Sequence, residues 1–371
     1  MGKLLAISSD DYRTPVDGLK SLSAMSEEFD SNSVTGILLR DLGGPFKTLK
    51  KYPVLSGVFT REGIRKLDIF MLEMGFMTKY KVSFKITNNK NGDIPQRDVY
   101  LIRVYDFPYN WDNITSTEAE SKLMDICLEL KRMGEEKNDM TVFSFWPDVI
   151  LMKEIISPLE IIEHLELDRV EFSAKLMMLY VNESNGFDKN LYSFNPSFLQ
   201  GYASMNNGEN NSYIKNRDFL SSRKSYNYCS SRSETLTQIL HYYISALELE
   251  IKNIKHVISP LTGKELKEHQ DSNFLTMLKH SCRSMSIDGA QCLIGSLPDN
   301  TLFLTKDAKS ITTCVVGTKP GITAFSSEIT GLEKLLPDRD KTQDYQPAHD
   351  ELIVLNPTNP EMEIHSQQNR I

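Results

Sequence analysis

One stripe of apolar residues restricts what this chain of 371 residues can become more than any other feature. Leu236, Ile239, Leu240, Tyr243, Ile244, Leu247, Ile251, Ile254 and Ile258 recur at spacings near three and four, and only a helix gathers such a series on one side. Ser231 and Glu234, three residues apart at its start, make a capping box in which hydroxyl and carboxylate each take a backbone amide. The pattern predicts one helix of about six turns. A stripe that long can cover an internal core and also meet a partner, so a homo-oligomer is expected. The helix start aims free amides and a positive dipole end at whatever Arg232 contacts, which suits an anion.

The stretch that leads into this helix, Tyr213 to Ser233, alternates cations with rings and hydroxyls. Lys215, Arg217, Arg223, Lys224 and Arg232 are opposed only by Asp218, and Tyr213, Phe219, Tyr226 and Tyr228 lie among them. Cations neutralise phosphates while aromatic faces stack on unpaired bases, so the mixture is that of a single-strand nucleic-acid surface. A solvated polar loop has a similar composition.

A net charge of −8 would ordinarily argue against a polyanionic partner, but the average hides a partition. From Lys47 to Arg103 twelve cations face five acids, and the next hundred residues are acidic. Within the basic zone Thr78 to Ile86 alternates cleanly. Tyr80, Val82, Phe84 and Ile86 point one way, and Lys79, Lys81 and Lys85 with Ser83 the other. Period two is a strand with one buried face. Turn residues from Asn88 to Asp93 then predict a basic β-hairpin closed by Val99 to Tyr105. The three lysines read either as a row of phosphate contacts or as a solubilising edge.

Thr60 caps a helix whose Ile64, Leu67, Phe70, Met71 and Met74 stop at Gly75. Thr117 with Glu120 opens another, ended by Gly134, and Ser157 with Glu160 opens helical material to about Tyr180. Strands are expected at 301–305, 311–316 and 351–355. The domain reading is a mobile N-terminal arm over 1–45, an α+β region over 46–181 and a polar, basic-aromatic connecting stretch over 182–233. A helical and strand region over 234–355 and a disordered tail over 356–371 complete it. The fold class is α+β, predominantly helical with short antiparallel strands and a basic β-hairpin.

Five scattered cysteines without a Cys-x-x-Cys pair argue for free thiols in a reducing compartment and against zinc. No apolar run is long enough to span a bilayer, no signal segment opens the chain, and Ala6 stands where an acylation motif needs Ser or Thr. No membrane insertion and a cytoplasmic location are expected. Phosphate-loop, nucleophile-elbow and zinc-protease motifs are missing from the sequence. Neither an enzyme nor a cofactor is expected.

Ser230-Ser231-Arg232-Ser233 before the long helix, Met285-Ser286-Ile287-Asp288-Gly289-Ala290-Gln291, Phe325-Ser326-Ser327-Glu328-Ile329 and Leu352-Ile353-Val354-Leu355-Asn356-Pro357 follow one another over about the last 140 residues. In order and spacing this series resembles the sigma-NS nonstructural proteins of orthoreoviruses. The resemblance implies a cytoplasmic, self-associating protein that binds single-stranded RNA as an RNA chaperone in viral factories, beside other factory proteins. Of the basic residues it carries over only Arg232.

The residues and the resemblance together predict single-stranded RNA binding through Lys79, Lys81, Lys85, Lys215, Arg217, Arg223, Lys224, Tyr226, Tyr228 and Arg232. Two alternatives stand beside it. One is a structural or interaction protein of matrix or movement type, meeting membrane or protein partners. The other is a divergent metal nuclease, suggested by Trp146-Pro147-Asp148 with Glu171 and Lys175.

Overall fold

A computed structural model describes residues 2–25, 33–86, 98–183, 190–208, 212–223, 231–283, 285, 287, 289, 291–307, 309, 311–357 and 359–367. The chain divides into two compact units, Ser9–Leu191 (the N-unit) and Met1–Ser8 with Tyr192–Ile371 (the C-unit). The division falls inside β1 (Lys3–Arg13).

The N-unit continues through α1 (Val16–Ala24), β2 (Ser33–Leu42), β3 (Pro53–Phe59), α2 (Arg61–Glu73), β4 (Met77–Lys85), β5 (Val99–Asp106), α3 (Ser116–Lys137), β6 (Met140–Pro147), β7 (Val149–Glu154), α4 (Glu160–His164) and β8 (Ala174–Glu183). Four strands form an antiparallel sheet in the order β4-β5-β3-β6. Elsewhere in the unit β2 is paired antiparallel on both sides, with β7 and with β8. Every residue of β3 is buried, and so is all of β2 except Asp41. A strand covered on both faces loses alternation and reads as an apolar run. That is why residues 174–180 read as helix in sequence and are strand in the structure.

Thr60 caps α2 as its position predicts, its hydroxyl accepting from the Gly63 amide at 3.0 Å. In α3 the cap is Thr115, two residues ahead of the predicted one, and Gly134 lies inside the helix. A Cβ at Gly134 would meet the Met140 carbonyl oxygen at 2.2 Å. The glycine is a contact point between α3 and β6, not a stop.

The C-unit contains β9 (Ser197–Leu199), β10 (Tyr202–Gly208), α5 (Tyr213–Ser222), α6 (Arg232–Leu240), α7 (Ile254–Ile258), α8 (Gly263–Glu268), α9 (Ser272–Ser281), β11 (Gln291–Ser296), β12 (Leu302–Lys306), β13 (Val315–Lys319), β14 (Ile322–Ser326), α10 (Ile329–Leu335), β15 (Glu351–Asn356) and β16 (Asn359–Ser366). Six strands form an antiparallel sheet in the order β16-β15-β12-β11-β10-β9. Leu236, Ile239 and Leu240 of α6, Ile254 and Ile258 of α7, and Leu275 and Leu278 of α9 share one core with Leu293, Phe303, Leu352 and Val354 of that sheet. Burying each such side chain stabilises the fold by about 1.5–3 kcal/mol before entropy is counted.

The long helix is broken. Ser231 caps it as predicted, accepting from the Glu234 amide at 3.1 Å, but α6 ends at Leu240 and a π-turn, His241–Ala246, follows. Glu248 then takes a left-handed conformation (φ 53°) before the chain re-enters helix at Ile254. Leu236, Ile239, Leu240, Tyr243, Ile254 and Ile258 of the stripe turn to the same core, while Leu247 is exposed. Ile254 is fully buried there and Ile251 packs against it, so the stripe presents no continuous apolar face for a partner.

The predominantly helical α+β fold of the sequence reading is overturned. Sixteen strands in large antiparallel sheets are counted among the described residues, an α/β architecture in which strand and helix are comparable. Residues 3–42, read as a mobile arm, hold β1, α1 and the buried β2. The Asn- and Ser-rich connection contains β9 and the buried β10, and the tail read as disordered contains β16, paired with β15. β2 and β10 are held by pairing to distant segments, and β16 by a local hairpin with β15. Among the described residues no helix is long and apolar enough to cross a membrane.

Candidate nucleic-acid interface

The basic zone of the N-unit is assembled around two tyrosines. β2 ends at Leu42, and the chain passes through Gly43 into a 3-10 turn, Gly44–Thr48. The Gly43 amide donates to the Ser173 carbonyl at 2.8 Å. A Cβ on Gly43 would lie 2.5 Å from Ser173 Oγ and 2.6 Å from the Tyr12 ring. Tyr12 therefore rests against bare backbone, beside the turn that supplies lysines. The ammonium groups of Lys175, Lys47 and Lys50 lie 5.3, 5.4 and 5.8 Å from its ring centroid. The Tyr52 ring has Lys79 at 4.4 Å and Lys51 at 5.0 Å. A cation over a ring gains about 0.5–1 kcal/mol at an exposed site, yet several cations on one ring repel one another, which leaves the cluster short of anions.

Its internal acids are few and constrained. Lys50 forms an ion pair with Asp41, and the Tyr12 hydroxyl donates to Asp41 Oδ1 at 3.4 Å. Asp148 Oδ1 accepts from the Leu42 amide at 2.8 Å. Asp41 (φ 52°) and Asp148 (φ 56°) are both left-handed, a conformation that Asp tolerates better than most side chains and that clusters at functional sites. Burial pushes the Asp148 carboxyl up to about 6, with the charge of Asp41 adding to it and the Leu42 amide and Lys50 opposing. Burial lowers the Lys50 ammonium, but the bond to Asp41 and the charge of Asp148 raise it overall. Among the described residues Lys47, Lys51 and Lys175 have no acidic partner within ion-pair distance.

Of the predicted strand lysines, Lys81 and Lys85 stand exposed on β4, an edge strand. Lys79 is separated from them by a bulge, where the register with β5 shifts between Thr78 and Tyr80. Its ammonium pairs with Asp106 at 2.6 Å beside Tyr52, and that bond raises its pKa. The row of three thus becomes a pair plus one lysine belonging to the tyrosine cluster. Arg103, counted with the basic zone, is buried on the Asp68 carboxylate and the Tyr105 hydroxyl.

In the C-unit the predicted connecting stretch includes α5 and the start of α6. Lys215 is exposed, Arg217 pairs with Asp218 at 2.7 Å, Arg223 lies 5.0 Å from the Phe219 ring, and Arg232 lies 5.6 Å from Tyr213. Lys224, Tyr226 and Tyr228 lie outside the described residues.

Sequence reasoning missed Tyr12, Tyr52, Asp41, Asp148 and Lys175 as parts of one site. A local signal existed for part of it, since Lys47, Lys50, Lys51 and Tyr52 fall within six residues. Nothing local joins them to Tyr12 or Lys175. Of the nuclease constellation, Asp148 and Lys175 do reach the cluster, while Glu171 is held by Arg169 at 2.6 Å. Among the described residues no group of three or more His, Cys, Asp or Glu side chains could hold a metal ion.

No family model matches the chain, and no curated protein matches it significantly. The solved structures similar to the chain include two that are enzymes by their descriptions. Glutamine phosphoribosylpyrophosphate amidotransferase from B. subtilis, complexed with ADP and GMP, is 11% identical with a TM-score of 0.43, over 100% of this chain and 50% of that one. A structure described as the allosteric regulatory enzyme of purine biosynthesis is 13% identical with a TM-score of 0.42, over 60% of this chain and 41% of that one. The chain thus spans half or less of the length of each. A likeness this weak assigns no function.

Proposed function

We propose that this protein binds single-stranded RNA through the lysine and tyrosine cluster of the N-unit, extended along β4 by Lys81 and Lys85. The observation that carries the reading is the placing of five ammonium groups within 6 Å of two tyrosine rings. Cations at that density track a phosphate backbone, and rings among them offer faces on which unpaired bases stack. A duplex buries its base faces and gives such rings nothing to stack on, so the preference is for single strands.

Fluorescence anisotropy with single-stranded and double-stranded RNA at several salt concentrations tests it. For single strands each phosphate contact contributes about 0.7 to the slope of log affinity against log salt. The triple variant Lys47→Ser, Lys50→Ser, Lys175→Ser is expected to flatten that slope by about 2. An unchanged slope in the triple variant overturns the reading. Tighter binding to anionic vesicles than to RNA would favour a membrane-facing interaction protein, and metal-dependent shortening of the RNA a nuclease.

The resemblance to sigma-NS proteins extends this proposal to self-association on RNA in host cytoplasm, among other factory proteins. Light scattering with and without RNA tests that part. A mass equal to one chain of 42.4 kDa while RNA is bound would remove it.

A further inference from the structure

We propose that Cys314 and Cys292 form an oxidisable dithiol inside the C-unit, which a small hydroperoxide closes to a disulfide. The two thiols are hydrogen-bonded to each other, and neither is bridged elsewhere. Cys292 lies on β11, paired across the ladder with Lys306 of β12. The Lys306 carbonyl accepts a hydrogen bond from the ammonium of Lys255, a side chain that is 1% exposed. The chain then turns at Asp307, whose carboxylate accepts from the amides of Lys309, Ile311 and Thr312 and from the Thr312 hydroxyl. That turn returns Cys314 to Cys292. A lysine ammonium is thus buried beside a pair of thiols, on elements the proposed RNA site does not use.

The electrostatics differentiate the two sulfurs. The hydrogen bond from Cys292 holds the Cys314 thiol below its ordinary range against the effect of burial, and Lys306 and Lys255 help. The same bond and complete burial push the Cys292 thiol well up. Burial lowers Lys255 to about 8, so it can release a proton near neutrality. A thiolate is the attacking form, and a nearby cation favours it.

The Cys314 thiolate attacks one oxygen of the hydroperoxide, the O–O bond breaks, and an S–O bond forms. The leaving alkoxide, or hydroxide from hydrogen peroxide, takes a proton from the Lys255 ammonium. Cys292 then attacks the sulfenic sulfur of Cys314. The S–S bond forms as the S–O bond breaks, and the Cys292 proton leaves with the hydroxide as water. Two thiols are oxidised, and one peroxide becomes an alcohol and a water. Cys314 keeps 5% of its surface and Cys292 none, so the reagent meets Cys314 first.

The test uses the full chain carrying Cys229→Ser, which removes the one thiol outside the described residues. Stepwise hydrogen peroxide, alkylation and non-reducing peptide mapping are expected to yield a Cys292–Cys314 cross-link two hydrogens lighter and reversible by dithiothreitol. It should form at least tenfold faster than any oxidation of Cys127 or Cys282, both buried thiols that burial pushes up. In Cys292→Ser a dimedone-reactive sulfenic acid should accumulate on Cys314. Oxidation of Cys127 or Cys282 before Cys314, or a Cys314 sulfinic acid without the cross-link in the Cys229→Ser chain, overturns the proposal. Both mapping outcomes are read on chain with native cysteines at 292 and 314, so a folding failure in Cys292→Ser leaves the test intact.

Discussion

Two cation-rich regions, one in each unit, are alike in composition and differ in construction. The N-unit draws Tyr12, Lys47, Lys50, Lys51, Tyr52, Lys79 and Lys175 from β1, from the segment after β2, from β4 and from β8, and sets them about two rings. The C-unit keeps its cations in one stretch, where Arg217 pairs with its neighbour Asp218 and Arg223 and Arg232 lie on separate rings. Contiguous charge in a sequence is therefore a poor guide to concentrated charge in space. A helix sends successive residues round its circumference, about 100° apart, whereas a sheet can bring distant segments to one place.

The sharpest break of this comparison lies in the segment that follows the C-unit cations. If the stripe from Leu236 to Ile258 is core, an acid at its fully buried Ile254 leaves a carboxylate without a partner. Ile254→Asp is expected to destabilise the C-unit by about 4 kcal/mol or more, whereas Ile251→Asp at the half-buried edge costs about 1–2 kcal/mol. Urea unfolding followed by far-ultraviolet circular dichroism checks both. Equal, small losses for the two variants, with a fall in oligomer mass, would return the stripe to an intermolecular role.

The next effect belongs to the N-unit and turns on pH. The Asp148 carboxyl sits at about 6 when folded and near its ordinary 3.8 when unfolded. Between those values the folded state holds a proton that the unfolded state has released, so the contribution of Asp148 to stability is most favourable below about pH 4 and declines as pH rises toward 6. Two pKa units correspond to roughly 2–3 kcal/mol. Asp148→Asn keeps an oxygen for the Leu42 amide and tolerates the left-handed backbone, so it should flatten the decline and add about 2 kcal/mol at pH 7. RNA affinity should rise about threefold, since an acid leaves a cation cluster. A stability profile between pH 4 and 7 that is the same in wild type and variant would show that Asp148 is not held protonated by its surroundings.

The elements legible in the sequence were those whose cause is local. Caps at Thr60 and Ser231 depend on a hydroxyl three residues from an amide, and both were placed correctly. The alternation of β4 was visible because β4 is an edge with one covered face. What escaped were strands whose reason is a partner far along the chain. β10 carries Ser204, Asn206 and Asn207 in buried positions because β9 and β11 take its backbone on both sides, with Ala203 opposite Ser296. The π-turn at His241–Ala246 escaped because a shift from four-residue to five-residue bonding leaves the apolar spacing nearly unchanged. The site was half legible for the same reason. Lys47 to Tyr52 is a run, while Tyr12 and Lys175 reach it through strand placement alone.

The smallest effect separates the two regions most directly. If the C-unit cations are dispersed by their helices, replacing Lys215, Arg223 and Arg232 together by Ser should change RNA binding little. Among the described residues none of the three is paired with a carboxylate. Their number equals that of Lys47, Lys50 and Lys175, of which Lys50 is ion-paired with Asp41. A counterion-release slope depends on how many phosphates a single bound strand neutralises at once. Three cations around one ring meet neighbouring phosphates of one strand, whereas Arg223 and Arg232 lie against two different rings, Phe219 and Tyr213. The expected change in slope is below about 0.7, the value of one contact, against about 2 for the N-unit triple. A loss near 2 in both triples would mean that the two regions act alike, and that the contiguous stretch was read correctly from composition.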